Sequence, residues 1–155
     1  MMSRGKINIL FFFQKKITLR RRKRLKAFLS NVLEKKAGKV SGEVRIIFCS
    51  DDELLKINRD FLSHDYYTDI ITFPFTKPSE KNIEAELYIS VDRVRANAKV
   101  LEASLERGLH RVVFHGVLHL CGLDDKSETQ ASAMRRAEDS LLMEYFNVPH
   151  KTVSP

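Results

Sequence analysis

Two histidines and a downstream carboxylate are the residues of this 155-residue sequence best suited to metal chemistry. His115 and His119 are four positions apart, so a helix would place both imidazoles on one face, one above the other. Gly122 can adopt the left-handed conformation that ends a helix and turns the chain back. We therefore expect Asp125, six residues after His119, to approach the same ion as a third ligand.

The composition of this ligand set indicates a catalytic rather than a structural metal site. Two His and one carboxylate leave the fourth position of a tetrahedral ion open, whereas structural zinc sites normally use four protein ligands, often cysteines. Cys121 is two residues from His119 and would point to nearly the other side of the helix, so it is a poor ligand. We expect one divalent ion per chain, with Zn²⁺ as the expected metal.

The residue after the first histidine separates this pattern from that of zinc peptidases. In those enzymes a Glu directly follows the first His and acts as the general base. This chain has Gly116 at that position, and glycine cannot take a proton. A metallopeptidase-like hydrolase stays open as an alternative, but it would need a base from elsewhere in the chain.

The secondary-structure elements that must position these residues alternate between strand and helix in the first part of the chain and are all helices in the last part. Apolar runs and two-residue alternation predict strands at 7–13, 42–49, 69–75 and 83–90. Helical spacing and capping residues predict helices at 18–37, after Ser50, at 92–102, at 105–121 and from Ser127 to about 146.

This order predicts an α+β fold with a mixed sheet of about four strands. We expect the helices to cover one face of the sheet and the metal-bearing helix to be central and buried. The sequence predicts a single domain over 1–147 and a loose C-terminal tail over 148–155.

The net charge of +7 is concentrated in one segment. Between Gln14 and Lys39 the chain has 11 Lys or Arg residues against one acidic residue. Such a segment can bind phosphates or anionic lipid, or it can be a solvated helix face. If it binds RNA, Arg20, Arg22 and Arg24 are the expected contacts.

Nothing in the sequence predicts a membrane segment or a disulfide framework. The apolar run at 7–13 is too short to span a bilayer, and Gln14-Lys15-Lys16 follows it where a signal peptide would have small residues. Cys49 and Cys121 are far apart in sequence. We therefore expect a cytoplasmic protein with reduced thiols and no membrane partner.

Three segments carry a resemblance to a known family. The sequence HGVLHLCGLD at 115–124 resembles the H-G-x-L-H-L-x-G-x-D signature of the YbeY family of metal-dependent endoribonucleases, which act in ribosomal RNA maturation. Asn58-Arg59 followed by TDIITFP at 68–74 resembles that family's N-R … T-D-V-L-S-F-P, and ELYIS at 86–90 resembles its G-D-I-x-I-S strand. The resemblance extends from about residue 7 to 146.

The resemblance implies a metal-dependent endoribonuclease that prefers single strands. The implied roles are ribosomal RNA maturation, at the 3′ end of small-subunit rRNA, and ribosome quality control. The implied partners are rRNA and the small ribosomal subunit or its assembly factors. Arg59 matches the family's catalytic or phosphate-binding arginine, and a planar guanidinium that stays charged suits a phosphodiester.

The sequence departs from the family pattern at two positions. The family's third ligand is a His where this chain has Asp125; a carboxylate can bind zinc, but it adds negative charge and favours harder metals. The family's strand Asp is replaced by Glu86, which is either a site residue with longer reach or an exposed strand residue. His64 is a possible substrate contact. A non-catalytic ribosome-binding module with a structural metal is the remaining alternative.

Overall fold

The computed structural model describes residues 6–147. This part of the chain contains four strands and five helices: β1 (Ile7–Phe13), α1 (Arg22–Ala37), β2 (Ser41–Cys49), α2 (Asp51–Leu62), β3 (Ile70–Pro74), β4 (Asn82–Ser90), α3 (Val91–Val100), α4 (Leu105–Leu120) and α5 (Glu128–Asn147). The tail expected at 148–155 lies outside the described residues. Among the described helices none is both long and apolar enough to cross a membrane.

The four strands form one mixed sheet in the order β1-β2-β4-β3. β1, β2 and β4 are parallel, whereas β3 runs antiparallel to β4 at the edge. This confirms the predicted α+β fold with a four-stranded mixed sheet.

The helices pack on both faces of the sheet, so the expectation of one covered face is wrong. Side chains alternate along β4, with Ala85 and Leu87 in the main core that also contains α1, α4 and α5 side chains. On the opposite face, Leu54 of α2 packs in a smaller cluster with Cys49 and Ile71. α2 lies there because the side chains of Cys49 and Ile71 alternate to that face of their strands.

Helix α4 is the most deeply packed helix near the candidate ligands, as predicted. Its side chains Val113, Phe114, Val117 and Leu118 are buried in the main core. Gly116 faces the sheet, and a Cβ atom there would lie 2.6 Å from Ile70 Cδ1 and 3.0 Å from Leu87 Cδ1. Glycine therefore allows α4 to pack directly against β3 and β4.

Helix α1 begins later than the sequence predicted. Residues 18–21 are not helical, and the helix begins at Arg22 rather than directly after Thr18. Ile17 and Leu19 are both buried, which requires the two-residue alternation of an extended chain. Burial of these two apolar side chains outweighs the weak helix signal of a capping Thr.

A buried histidine occupies the aromatic contact between α4 and α5. His110 is 1% exposed, its ring stacks 5.2 Å from that of Tyr145, and Nδ1 donates to the carbonyl of Glu106 at 2.7 Å. Its Nε2 has no hydrogen-bond partner among the described residues. Burial lowers the pKa of His110 below its usual 6.5, because the charged imidazolium is poorly solvated there.

We expect this histidine to weaken the fold in mild acid. Because the pKa of His110 is lower in the folded than in the unfolded chain, the unfolded chain binds the proton first as the pH falls. The contribution of the neutral imidazole to the free energy of unfolding is therefore complete above about pH 6.5 and is lost as the pH falls below that value. In urea unfolding at pH 7.5 and pH 5, His110→Phe should lose less free energy of unfolding than the wild type. Other titrating groups are common to both proteins and cancel in the comparison. An equal loss in both proteins would contradict the role of His110.

Candidate metal centre

The end of α4 and the turn after it bring the three predicted ligands together. Gly122 has φ 101°, a conformation that favours glycine, and the chain reverses so that Asp125 approaches the helix. Asp125 Oδ2 lies 3.3 Å from His115 Nε2 and 3.7 Å from His119 Nε2. One ligand atom from each residue lies within 4.8 Å of the others.

These distances fit a shared ion. Ligand atoms at about 2.1 Å from a tetrahedral ion are about 3.4 Å apart, close to both nitrogen–oxygen distances of Asp125. The arrangement therefore offers a possible divalent metal site, formed by two His nitrogens and one carboxylate oxygen.

The second nitrogen of each imidazole is held by a hydrogen-bond acceptor. His115 Nδ1 donates to Glu138 Oε2 at 2.5 Å, and His119 Nδ1 donates to the Leu123 carbonyl at 2.9 Å. With the proton on Nδ1, each neutral ring has its Nε2 lone pair free, and both Nε2 atoms face Asp125. Such outer hydrogen bonds fix the tautomer and orientation of metal-binding histidines, so the donor set fits the ion.

Glu138 is a buried carboxylate that connects His115 to a second charged group. Glu138 is 6% exposed, and its Oε1 accepts a hydrogen bond from Arg111 Nη1 at 2.7 Å. Arg111 also pairs with the exposed Asp139. Burial alone would raise the pKa of Glu138, but His115 and Arg111 outweigh it and hold that pKa below its usual value. Burial alone would lower the pKa of His115, but its hydrogen bond to Glu138 and the negative charges of Glu138, Asp125 and Asp69 outweigh burial and raise that pKa above its usual value.

The sequence analysis missed Glu138, although a signal was present. Glu138 falls at helical spacing between the buried side chains Met134, Leu142 and Tyr145 of α5. An acidic residue in an otherwise apolar helix face needs a buried partner, and this one has two.

Removing the Glu138 carboxylate should weaken metal binding. We expect Glu138→Ala to lower affinity for Zn²⁺ by about 10- to 100-fold, the usual effect of losing an outer partner of a ligand. Asp139→Asn is the matched control, because Asp139 contacts the same Arg111 but not His115. Competition with a chromophoric chelator measures affinity, and circular dichroism checks folding. Equal affinities in both variants would show that Glu138 does not orient His115.

Two clefts meet at the ligands. The first, of about 830 Å³, lies beside β3 and is lined by ligand residues together with Lys36, Lys39, His64, Tyr66 and Lys77. The second, of about 550 Å³, includes residues of α3, α4 and α5. Asp69, His115 and Asp125 line both. Burial raises the pKa of Asp69, although nearby His115 acts in the opposite direction.

Of the other predicted site residues, the structure brings His64 to the first cleft but leaves Arg59 outside its lining. Arg59 is exposed on α2 and pairs through Nε with Asp65 Oδ1 at 2.6 Å. Its neighbour Asn58 does line the cleft and donates to the Tyr66 carbonyl at 2.9 Å, which confirms its predicted role of tying down a loop. Arg59 is therefore the sequence neighbour of a residue in the cleft wall, but it is not itself among the residues that line the cleft.

The three arginines that were expected to contact RNA line neither cleft. Arg22 stacks over the Phe13 ring at 4.4 Å, Arg24 stacks over the Tyr145 ring at 4.2 Å and also binds the Tyr145 carbonyl, and Arg20 is exposed. Lys36, which does line the first cleft, is 14 residues further along α1 than Arg22, or about 21 Å at the rise of a helix. Lys36 in the last turn of α1 and Lys39 just after the helix, rather than Arg20, Arg22 and Arg24, line the first cleft.

Glu86 also does not reach the site. It alternates with Ala85 and Leu87 on β4 and therefore lies on the face opposite α4. There it accepts from Arg45 Nε at 3.0 Å and from the Tyr88 hydroxyl at 2.8 Å. Of the two roles left open for Glu86, the structure favours the one outside the site, because its carboxylate pairs with Arg45 on the other side of the sheet.

Neither cysteine belongs to the ligand set. Cys49 and Cys121 are both free thiols, and burial raises their pKa values to about 12 and about 11. Cys121 lines the first cleft but is absent from the cluster of possible ligands in the described residues.

The fold and the site together define a class: α+β proteins in which a buried helix and the turn after it bring together three possible metal ligands. Within it, the family described as Endoribonuclease YbeY matches residues 11–146, and the chain belongs to this family.

Named relatives agree with this assignment, and a solved structure shares the fold. The chain is 50% identical over 105 residues to Endoribonuclease YbeY of Phocaeicola vulgatus, covering 68% of this chain and 75% of that protein. It is 43% identical over 135 residues to Endoribonuclease YbeY of Cytophaga hutchinsonii, covering 86% and 93%. A solution structure of a Thermotoga maritima protein superposes with a TM-score of 0.58 at 26% identity, covering 95% of this chain and 93% of that chain.

Proposed function

We propose that this protein is an endoribonuclease that hydrolyses phosphodiester bonds of RNA at the His115, His119 and Asp125 centre. The observation that carries the proposal is an open three-ligand site at the junction of two clefts, in a chain that belongs to the Endoribonuclease YbeY family. A strand that passes through both clefts crosses the centre with nucleotides on either side, which suits internal cleavage.

Different residues of the chain bind the ion and the phosphate. A bound divalent ion supplies Lewis-acid chemistry that can activate water or polarise a phosphoryl oxygen. His115 and His119 hold the ion through Nε2. Arg59 contacts a phosphate of the strand at the edge of the first cleft, using the guanidinium nitrogens that its Asp65 contact leaves free, and offsets charge in the transition state.

We propose zinc as the metal. Two imidazoles and a carboxylate form a common catalytic zinc set. Because Asp125 replaces a neutral His of the family pattern with a negative charge, tolerance of a harder ion such as Mn²⁺ should be greater here than with three histidines.

We propose ribosomal RNA as the substrate, cut during small-subunit maturation and quality control in the cytoplasm. Family membership supports this assignment. The small ribosomal subunit or its assembly factors would present the strand, and cations of the first cleft, Lys36 and Lys77 among them, match its phosphates.

A metallopeptidase is the less favoured alternative for structural reasons. Position 116, where peptidases have their Glu base, faces the sheet, and a Cβ atom there would lie 2.6 Å from Ile70 Cδ1. A carboxylate there could not reach a substrate in either cleft.

One assay separates the three functions. Metal-quantified protein is incubated with a structured ribosomal RNA fragment and, separately, with casein. Cutting of RNA alone supports the endoribonuclease; cutting of casein supports the peptidase. Binding of RNA without cleavage of either substrate, in protein with a full complement of metal, would favour the non-catalytic module.

A further inference from the structure

The loop between α2 and β3 carries a stacked pair of aromatic rings on the wall of the first cleft. The rings of His64 and Tyr66 have centroids 5.1 Å apart and planes 21° from parallel. The Tyr66 hydroxyl and His64 Nδ1 share a hydrogen bond of 2.9 Å. Both side chains line the cleft, and Tyr66 is 55% exposed. The pair is therefore available to a ligand and is not needed to fill the core.

A buried amide holds this pair in place. Asn58 is 2% exposed; its side chain donates to the Tyr66 carbonyl at 2.9 Å, and its carbonyl accepts from the His64 amide at 3.1 Å. Both ring-bearing residues are thus fixed to α2 through their backbones. A surface that is ordered before binding loses less conformational entropy when a ligand arrives.

The same cleft offers groups that match the rest of a nucleotide. Lys36 and Lys77 line it, and within the described residues neither ammonium group has a carboxylate at salt-bridge distance. The metal ligands line it as well. The cleft therefore combines cations for phosphates, an aromatic surface for a base and a centre for cleavage.

We propose that His64 and Tyr66 form a stacking platform for one unpaired base of the RNA strand in the first cleft, close to the cleaved bond. This inference rests on the proposed endoribonuclease function. An aromatic side chain can stack on any base that has a free face. A base inside a duplex is already paired and stacked, whereas a single-stranded base can be turned outward. The platform thus selects single-stranded over duplex RNA without reading a particular sequence.

Single-turnover cleavage of an RNA oligonucleotide tests the platform, because it separates the half-saturating protein concentration from the maximal rate. Tyr66→Ala should raise the half-saturating concentration by roughly 5- to 150-fold, the range expected for one lost base stack, with the maximal rate within about threefold. Tyr66→Trp should stay near the wild type. The wild-type preference for single-stranded over duplex substrate should shrink in Tyr66→Ala.

Tyr67→Ala is the matched control. Tyr67 is the next residue, is also exposed at 49% and packs against the Arg93 guanidinium rather than lining the cleft. A series of oligonucleotides, each with an abasic site at a different position, locates the stacked base. At one position the abasic site should lower the affinity of the wild type, but it should cause no further loss of affinity in Tyr66→Ala.

The outcomes also separate the platform from the nuclease. Cleavage with the same half-saturating concentration in Tyr66→Ala and Tyr67→Ala overturns the platform and leaves the nuclease intact. If the wild type cuts no RNA, fluorescence anisotropy with the same abasic series tests the platform alone. An abasic position that lowers the affinity of the wild type but not that of Tyr66→Ala then supports the platform, and the absence of such a position overturns the proposal.

Discussion

His115→Ala and His119→Ala should each remove most of the bound metal and reduce RNA cleavage by roughly a thousandfold or more, because metal-assisted hydrolysis loses its Lewis acid. Elemental analysis and single-turnover cleavage on the same preparations measure the two effects. Cys121→Ser is the matched control, since Cys121 lines the same cleft but offers no ligand, and it should keep both metal and activity. Cleavage that persists in a metal-free His119→Ala protein would rule out the proposed chemistry.

Asp125 is the candidate ligand whose residue type differs from the family pattern. Asp125→Ala should weaken metal binding, whereas Asp125→His should restore it, since an imidazole on the turn can replace the carboxylate oxygen 3.3 Å from His115 Nε2. Unchanged metal affinity in Asp125→Ala would remove it from the ligand set. Asp124 would then be the next residue to test.

The second large effect is expected at Arg59. Arg59→Ala should keep the metal and the thermal stability, because a guanidinium is not a metal ligand and this one is exposed. It should nevertheless lose about a hundredfold in cleavage, the scale for removing one positioned donor from a transition state. Arg59→Lys should recover only part of the rate, because an ammonium keeps the charge but loses the planar fork.

The ion pair of Arg59 with Asp65 provides the control. If Arg59 acts only by holding Asp65 and its loop, Asp65→Asn should reduce cleavage as much as Arg59→Ala. If Arg59 binds phosphate, Asp65→Asn should leave the rate within a few fold of the wild type. Full activity in Arg59→Ala would remove phosphate binding by this residue from the mechanism.

The candidate ligands could be predicted because their geometry is local. A four-residue helical spacing and a glycine turn bring His115, His119 and Asp125 together within 11 residues of sequence, so no knowledge of tertiary packing is needed. Asn58 could be predicted for the same reason, since its partner Tyr66 is eight residues away.

The partners that depend on packing between distant elements could not be predicted as well. Glu138 contacts His115 across 23 residues, through a contact of α5 with α4 that periodicity alone does not specify. The lysines of the first cleft come from the end of α1, from the α1–β2 connection and from the β3–β4 loop, which meet only in the folded sheet. The face of Glu86, in contrast, follows from the sequence alone, because its alternation with Ala85 and Leu87 places it on the side of the sheet opposite the main core.

The close approach of α4 to the sheet has a consequence for evolution. The segment with the candidate ligands His115 and His119 differs from the zinc-peptidase motif at one position, so a single codon change at Gly116 would produce that motif. That change would place a side chain where even a Cβ atom meets Ile70 Cδ1 at 2.6 Å, so the side chains of Ile70 and Leu87 would have to move, and the new carboxylate would face the sheet. The two motifs are neighbours in sequence space, yet in this fold the changed residue would point into the sheet and away from a substrate in the clefts. Directed evolution of proteolysis here would have to begin with a base on another cleft wall.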